Sequence, residues 1–485
     1  MMYDIAIIGA GVVGSAIARE LSRYAWKTVV LEKRLEVSEG TTKANSAIIH
    51  GGYDAIPGTL KAKLNVLGSA MVKDLAKELD FPFQAIGSLV IAFNQEEEKI
   101  LDKLYARGLE NGVDGLSIIS HDEILALEPN VSDEATKALL CTGAGIVCPF
   151  NMTYALIENA MANGVTLLRD HEVKDLKRVE EGYTITTNQE ELTARLVINA
   201  AGIETERIAA MLGETDYEIK PRRGEYRLLD RSEGDMVGHV IFQTPTELGK
   251  GVLVTPTVWG NLMIGPDSIE VGEDMPSTTK AGLARIDAQA IKSVPRLNFS
   301  KTIRVFSGLR ATPDTGDFMI YASKKNPGFI HAAGIESPGL ASSPAIAKMV
   351  LSLVLETEIL PVDKKYQVIE KRVGIKAFSK MDRAEREEMV KTNPRYGNIV
   401  CRCETVSEAE IIQAIRRPAG AVTTDGVKRR VRPGMGRCQG AFCGPKVISI
   451  LAKELNIPEE EVLKDSKGSQ IIVGKTKASY EKHSK

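Results

Sequence analysis

The sequence predicts α/β plus α+β architecture: a Rossmann-type α/β domain at the N-terminus, a mixed-sheet middle, an α/β return, and a small, mainly helical C-terminal unit. Three observations predict it. A strand, a glycine-rich turn and a helix open the chain. Strand-and-turn patterning fills the middle before an apolar strand and a long helix come back near residue 330. Four of the six cysteines fall between Cys401 and Cys443.

Taken in order, residues 3–9 read as a short buried strand and 12–24 as a helix with apolar positions at helical spacing. Residues 28–31 form a second strand, closed by Glu32, and 36–58 are rich in small and polar residues, as an irregular loop would be. Helical patterns follow over 60–79, 96–111 and 151–163, then a strand over 165–168. Charged and β-prone stretches alternate over 173–179 and 183–187, as in a meander, and 194–200 is again an apolar strand. Further strands fall at 225–229, 252–255, 262–264 and 329–333, and a helix over 344–355. Residues 357–397 are strongly charged, with Pro361 and Pro394 near their ends, and read as a connector that wraps rather than packs.

Composition sets limits. A chain of 485 residues exceeds what one core usually supports, so more than one domain is expected. The 62 basic and 64 acidic residues nearly cancel, which excludes a long-range field for nucleic acid or an anionic membrane. No apolar run reaches the roughly 18 residues of a spanning helix, so no direct membrane span is expected. The chain opens directly into a strand with no basic leader, so the expected location is cytoplasmic, with any membrane association through a partner. In a reducing compartment the four clustered cysteines point to metal rather than to disulfides.

The segment Asp4-Ile5-Ala6-Ile7-Ile8-Gly9-Ala10-Gly11-Val12-Val13-Gly14 fits strand, G-x-G-x-x-G, helix. Gly9 permits the tight turn, Gly11 lets a pyrophosphate approach the backbone, and Gly14 lets helix and strand pack closely. The helix start then offers N–H groups and partial positive charge to phosphates. Glu32, about twenty residues on, suits a ribose 2′-hydroxyl. The motif alone does not separate FAD from NAD, and a second strand-bound triplet is not seen.

At Leu31-Glu32-Lys33, and then at Thr41-Thr42-Lys43-Ala44-Asn45-Ser46-Ala47-Ile48-Ile49-His50-Gly51-Gly52, the chain resembles FAD-dependent oxidoreductases of the D-amino-acid-oxidase superfamily. It is most similar to glycerol-3-phosphate and L-2-hydroxyglutarate dehydrogenases. Three further stretches match, around Val197 to Gly202, Arg223 to Tyr226 with Gly251 to Pro256, and Ala333 to Pro344. The resemblance implies an FAD-binding domain in three segments, 1–80, 146–215 and 306–357, interleaved with a substrate domain over 81–145 and 216–305. A connector, 358–397, then leads to a domain and tail over 398–485. Implied FAD contacts are Gly9, Gly11, Val12, Val13 and Gly14 in the turn, Glu32 and Lys33 beyond the second strand, and Thr41, Thr42, Asn45 and Ser46 in the loop. Val173, Ala200, Ala201, Gly202 and Gly308 follow, and Gly334, Gly339, Leu340 and Ala341 stand beside the flavin ring. A helix beginning near Ser343 and Pro344 would aim its N-terminus at the ring and stabilise its reduced anion.

In similar enzymes the arginine at the place of Arg310 holds the anionic end of the substrate. A guanidinium suits carboxylate or phosphate through two parallel charge-assisted hydrogen bonds. Ala311 departs from the proline usual there. His50 is the candidate base for the hydroxyl proton, with Tyr53 and Tyr226 as phenol donors to the substrate. His331 reads as a core histidine, Cys141 and Cys148 as structural thiols, and His121, His171, His239 and His483 have no supporting context.

Cys401-Arg402-Cys403, 34 residues, then Cys438-Gln439-Gly440-Ala441-Phe442-Cys443 is similar to the bacterioferritin-associated-ferredoxin-like [2Fe-2S] module. That likeness implies Cys401, Cys403, Cys438 and Cys443 as iron ligands. Zinc is the competitor, since four thiolates suit it too. Ser407 and Glu410 form a capping-box start for a helix between the cysteine pairs.

Together these readings predict an FAD-dependent dehydrogenase acting on a CH–OH donor, a small anionic hydroxy substrate. The expected reaction is oxidation of sn-glycerol 3-phosphate to dihydroxyacetone phosphate, with electrons leaving through a [2Fe-2S] cluster to an NAD- or quinone-linked partner subunit. The alternatives are an L-2-hydroxyglutarate or related 2-hydroxy acid dehydrogenase and, in another class, a non-catalytic electron-carrier or redox-sensing subunit.

Overall fold

A computed structural model of the chain describes residues 2–245, 251–271 and 277–474; His483 lies outside them. The chain divides into two compact units, Met1–Lys33 with Ser38–Arg372, and Arg34–Val37 with Val373–Lys485.

The first unit holds two large sheets. In the eight-stranded sheet, Met2–Ile8 runs parallel to Thr28–Glu32 on one side and to Glu191–Asn199 on the other. Thr28–Glu32 is buried along its whole length, as a parallel strand covered on both faces must be. The other edge of strand Glu191–Asn199 serves two neighbours in turn. Its first half pairs with the meander Val173–Val179 and Gly182–Thr187, and its second half runs parallel to Phe329–Ala333. The meander alternates buried and half-buried residues over Gly182–Thr187, the period of a strand with one dry face.

Helix Val12–Leu21 packs against Gly339–Glu356, which also packs against Leu60–Leu79. Gly68 makes the second approach possible, because a Cβ there would stand 2.2 Å from the Ala341 carbonyl oxygen. Helix Gly339–Glu356 is long and apolar enough by length and composition to cross a membrane. A helix packed against two others and rich in buried residues is what a protein core also requires.

The nine-stranded sheet is built from segments that are far apart in sequence: Ser88–Ala92, Leu116–Ser120 and Lys137–Cys141 from one stretch, five strands between Ile219 and Glu270, and Thr302–Pro313. Strand Ile219–Leu229 starts six residues before the expected 225, because its whole length pairs with Thr302–Pro313.

The expected connector divides. Residues 358–372 belong to the first unit, where Lys365 N–H donates to the Arg23 carbonyl at 3.0 Å, and Asn163 Nδ2 to the Ile369 carbonyl at 3.0 Å. Residues 373–397 belong to the second and do pack there: Phe378, Met381 and Tyr396 form a small core with Ala409.

The rest of the second unit is a hairpin, Ile399–Cys401 with Val406–Ser407, and helices Glu408–Arg416, Thr424–Val431 and Gly444–Leu455 around Val400, Ile411, Val427 and Leu451. The Ser407–Glu410 capping box is present. Four residues from the N-terminal stretch complete this unit. Glu36, fully buried, accepts from Val422 N–H at 2.7 Å and from Arg430 Nη1 at 2.8 Å. Gly426 admits it, since a Cβ there would lie 2.0 Å from Glu36 Oε1.

Candidate active site

The nucleotide turn is a backbone construction. Gly9 holds φ at +105°, and a Cβ there would stand 2.5 Å from the Ala200 carbonyl oxygen; a Cβ at Gly14 would stand 2.0 Å from the Gly9 carbonyl oxygen. A Cβ at Gly11 would meet Thr42 Oγ1 at 3.2 Å, and Thr42 Oγ1 accepts from Val12 N–H at 3.1 Å. Helix Val12–Leu21 has Gly11 as its N-cap, with no cap from that residue's own side chain, so beyond Val12 its first-turn N–H groups are left for the space where the resemblance puts phosphates. Glu32 Oε2 accepts from Ala10 N–H at 2.9 Å and fixes its carboxylate beside the turn. This donor set fits the pyrophosphate and ribose of FAD.

Further out, Lys33 Nζ binds Glu204 Oε1 at 2.9 Å and Arg207 Nε binds Glu204 Oε2 at 2.7 Å. Burial pushes the Glu204 carboxyl up, but Arg207 and Lys33 outweigh it and hold it below the usual carboxylate range. Arg207 Nη1 also donates to the Val173 carbonyl at 3.3 Å. The Val173 side chain is buried in the sheet core, so its backbone is what can meet a cofactor. Ala200 N–H donates to the Ile8 carbonyl at 3.0 Å, and Gly202 takes φ +63° just beyond.

Asn45 braces the following loop, with Nδ2 donating to the Thr42 carbonyl at 2.9 Å and Oδ1 accepting from Ala47 N–H at 2.8 Å. Ala47 is held at φ +58°, and a two-residue strand, Ile48–Ile49, forms within the expected loop. Thr41 Oγ1 donates to the Leu309 carbonyl at 2.7 Å, and a Cβ at Gly308 would collide with the Ala44 carbonyl oxygen at 2.0 Å. Thus the loop lies flat on strand Thr302–Pro313.

The loop before the long helix meets the same strand. Glu336 accepts from Thr312 Oγ1 at 2.8 Å and from Lys61 Nζ at 2.7 Å. Thr312 and Lys61 escaped sequence reading, because each meets the loop only through tertiary pairing. Gly334 sits at φ +64°. The helix starts at Gly339, five residues before Pro344, so Pro344 lies inside it and not at its first turn as expected. Pro344 lacks the N–H that would reach the Leu340 carbonyl, and Ser343 Oγ donates to that carbonyl instead, at 2.9 Å. The helix start is therefore Gly339, Leu340 and Ala341, residues the resemblance puts at the flavin ring.

His50 is fixed through its carbonyl, which accepts from Asn65 Nδ2 at 2.7 Å and from the Ser69 hydroxyl. Its ring lies 5.8 Å from the Phe242 ring, with Nε2 3.5 Å from Ser337 Oγ. Arg310 Nη2 donates to the Asp267 carbonyl at 3.3 Å and Nη1 to Ser268 Oγ at 3.4 Å. Tyr226 is buried, and its hydroxyl meets Ser46 Oγ at 3.3 Å and hydrogen-bonds Arg310. Burial pushes its phenol up, and the Arg310 charge opposes that. Ser46, Tyr226 and Arg310 thus come together. Tyr53 does not join them: it is buried in another core cluster with its hydroxyl 3.5 Å from Ser88 Oγ, and burial pushes its phenol up. The expected substrate role is corrected to packing. His331 is a core histidine as expected, fully buried, with Nε2 2.8 Å from Glu214 Oε2.

In the second unit the four sulfurs meet two by two. Cys403 Sγ lies 3.6 Å from Cys438 Sγ, and Cys401 hydrogen-bonds Cys443. The Cys443 contact, with N–H groups of Gly434 and Glu404, holds Cys401 down to about 6 against burial. Burial pushes Cys438 up, but N–H groups of Gly440 and Phe442 and the Cys403 thiol bring it below the ordinary thiol value. Gly436 lets the loop pass against Cys403, whose Cβ would lie 2.4 Å from a Cβ there. Four thiols with backbone N–H donors around them would hold a [2Fe-2S] cluster as its thiolate ligands. Cys141 and Cys148 are buried thiols in the first unit, apart from this set.

A glycine-rich turn with an uncapped helix start, a carboxylate at the second strand and a polar face beside a second helix start define a dinucleotide-dependent oxidoreductase. Residues 4–353 match the FAD dependent oxidoreductase family, and residues 399–453 match the BFD-like [2Fe-2S] binding domain. The chain belongs to that FAD-dependent oxidoreductase family and carries a C-terminal [2Fe-2S] domain. It is 48% identical to a glycerol 3-phosphate dehydrogenase of Caloramator mitchellensis, over 99% of this chain and 100% of the relative. It is 33% identical to a glycerol 3-phosphate oxidase of Mycoplasma genitalium, over 72% of this chain and 94% of the relative. Among solved structures, the FAD-bound L-α-glycerophosphate oxidase of Mycoplasma pneumoniae is similar at TM-score 0.73 and 31% identity, covering 76% of this chain and 98% of that one. A bovine mitochondrial L-2-hydroxyglutarate dehydrogenase is 33% identical over 55% of this chain and 61% of its own length.

Proposed function

We propose that the chain oxidises sn-glycerol 3-phosphate at its C2 hydroxyl to dihydroxyacetone phosphate and hands the electrons to a partner protein. The observation that carries this reading is the 48% identity to a glycerol 3-phosphate dehydrogenase, which runs the length of both chains and through the four-cysteine module. The 2-hydroxyglutarate relative matches over barely half of this chain. The relatives named oxidases are covered almost whole by about three quarters of this chain; what this chain adds is the cluster domain, which would be idle if oxygen were the acceptor.

When bound, FAD supplies the two-electron acceptor for the hydride leaving C2, and the [2Fe-2S] cluster supplies a one-electron path onward. The residues of the chain do the rest. Arg310 holds the phosphate, since its protein contacts are neutral oxygens and leave its charge uncompensated. Tyr226, hydrogen-bonded to Arg310 and Ser46, orients that guanidinium. His50 takes the hydroxyl proton, its backbone held by Asn65 and Ser69. The partner is an NAD- or quinone-linked subunit, because one dinucleotide turn accounts for one cofactor.

Anaerobic titration of the cofactor-replete protein with each candidate substrate tests this. Bleaching of the flavin by glycerol 3-phosphate, with turnover by an artificial acceptor and little peroxide in air, is expected. Bleaching by L-2-hydroxyglutarate alone would replace the substrate assignment, and bleaching by neither would favour an electron carrier.

A further inference from the structure

Strands Ile219–Leu229 and Thr302–Pro313 pair antiparallel with Arg222 opposite Arg310, Gly224 opposite Gly308 and Tyr226 opposite Phe306. Opposed residues share a face of the sheet. That face therefore carries, in order, a pair of stacked rings (centroids 4.7 Å apart), a gap of two glycines and a pair of guanidinium groups. Arg310 leans back over the gap, because a Cβ at Gly224 would stand 2.8 Å from Arg310 Nη2.

Like charges set directly opposite one another repel, and among the described residues no carboxylate is ion-paired to either member. Among the described residues Arg310 meets the Asp267 carbonyl, Ser268 Oγ and the Tyr226 hydroxyl. Among the described residues Arg222 has no hydrogen bond or ion pair, and its Nε is buried without a partner. Glu270 stands opposite Arg222 on its other flank but is exposed and makes no ion pair with it. The Asp267 carboxylate is taken by Arg285 at 2.8 Å and by Glu225 N–H at 2.9 Å. Arg223, next in sequence and so on the opposite face, also has a buried Nε without a partner but differs in its charge, which is ion-paired to buried Glu225 at 2.9 Å. A half-buried guanidinium with an unmet donor costs free energy unless a ligand meets it.

We propose that Arg222 is a second anion-binding residue of the substrate site, and that Arg222 and Arg310 together select a phosphate dianion over a carboxylate. One guanidinium satisfies both oxygens of a carboxylate. A phosphate monoester brings three terminal oxygens and close to two charges, and calls for a second. The inference rests on the reading of Arg310 as the substrate anchor.

The test uses the full chain with FAD and cluster, comparing wild type with Arg222→Met and Arg222→Lys. For Arg222→Met, KM for glycerol 3-phosphate rises about tenfold or more, with kcat moved far less, and Arg222→Lys recovers part of the loss. Without added anion Arg222→Met melts at or above the wild-type temperature, since a repulsion is gone. The upward shift in melting that inorganic phosphate gives the wild type shrinks. A KM within about twofold of wild type, or lower melting with an unchanged phosphate response, overturns the proposal. The phosphate arm does not need turnover. A wild type inert to glycerol 3-phosphate would overturn the substrate reading, while a phosphate shift lost in Arg222→Met would still sustain the anion site and an equal shift in both would overturn it.

Discussion

In the first unit the nucleotide turn is a backbone construction, built by glycines whose missing Cβ atoms let backbone segments pass close to one another. In the second unit side chains do the holding: four sulfurs in two pairs, with backbone N–H groups placed around them. The two cradles therefore fail differently. A backbone cradle tolerates most changes of side-chain chemistry and is broken by adding a single carbon. A thiol cradle tolerates packing changes and is broken by loss of a ligand or of the fold that gathers the ligands. The largest effects should follow that division.

Gly14→Ala is the most severe test of the first cradle. Its Cβ would stand 2.0 Å from the Gly9 carbonyl oxygen, a backbone atom that cannot rotate away. The turn must open, and the purified variant should retain almost no flavin, read as the loss of visible flavin absorbance per chain. The cluster signal, with its ligands all in the second unit, should persist. Equal loss of flavin and cluster would break the comparison.

Glu36→Ala is the corresponding test of the second unit. The carboxylate is fully buried, and Arg430, its partner at 2.8 Å, is nearly so. Removing one member of a buried pair strands the other charge, at a cost of about 3–5 kcal/mol. Cluster content and the melting of the second unit should fall. A variant that keeps its cluster and melts like wild type would mean that Arg430 finds compensation among its other contacts.

The same contrast governs what could be read in the sequence. The nucleotide turn was legible because its chemistry lies within a dozen consecutive residues and depends on residue type alone. The four cysteines were legible for a related reason, since few other functions crowd thiols at that spacing. Side chains that act through register were not. Nothing local distinguishes Arg222 from Arg223; which of the two shares a sheet face with Arg310 is set by pairing with a strand some eighty residues on. Tyr53 sits three residues after His50, yet its ring turns into the core while His50 faces Ser337. The strands Ser88–Ala92 and Lys137–Cys141 were missed because a buried central strand and a buried helix segment look alike in a short apolar run. Glu36 looked like loop polarity, and its role exists only where helix Thr424–Val431 receives it.

The smallest effect should come from the rim of the backbone cradle, where side chains contribute charge but not shape. Glu204 links Lys33 and Arg207, and its carboxyl is held below the ordinary value of 4.5 by those two cations against the cost of burial. A carboxylate with a depressed folded-state pKa adds stability that is fully present above the unfolded value and fades as pH falls through the folded one. The partners are partly exposed, with Lys33 at 34% and Arg207 at 41% of side-chain area, so screening by water limits the gain to under about 1 kcal/mol. Glu204→Gln should therefore lower the melting temperature slightly at pH 7. The difference from wild type should close as pH falls below the ordinary carboxylate range and through the lowered folded-state value, where the carboxylate itself is protonated. A constant difference down through that range would mean that Glu204 acts by packing rather than by charge, and the rim would then belong with the shape of the cradle.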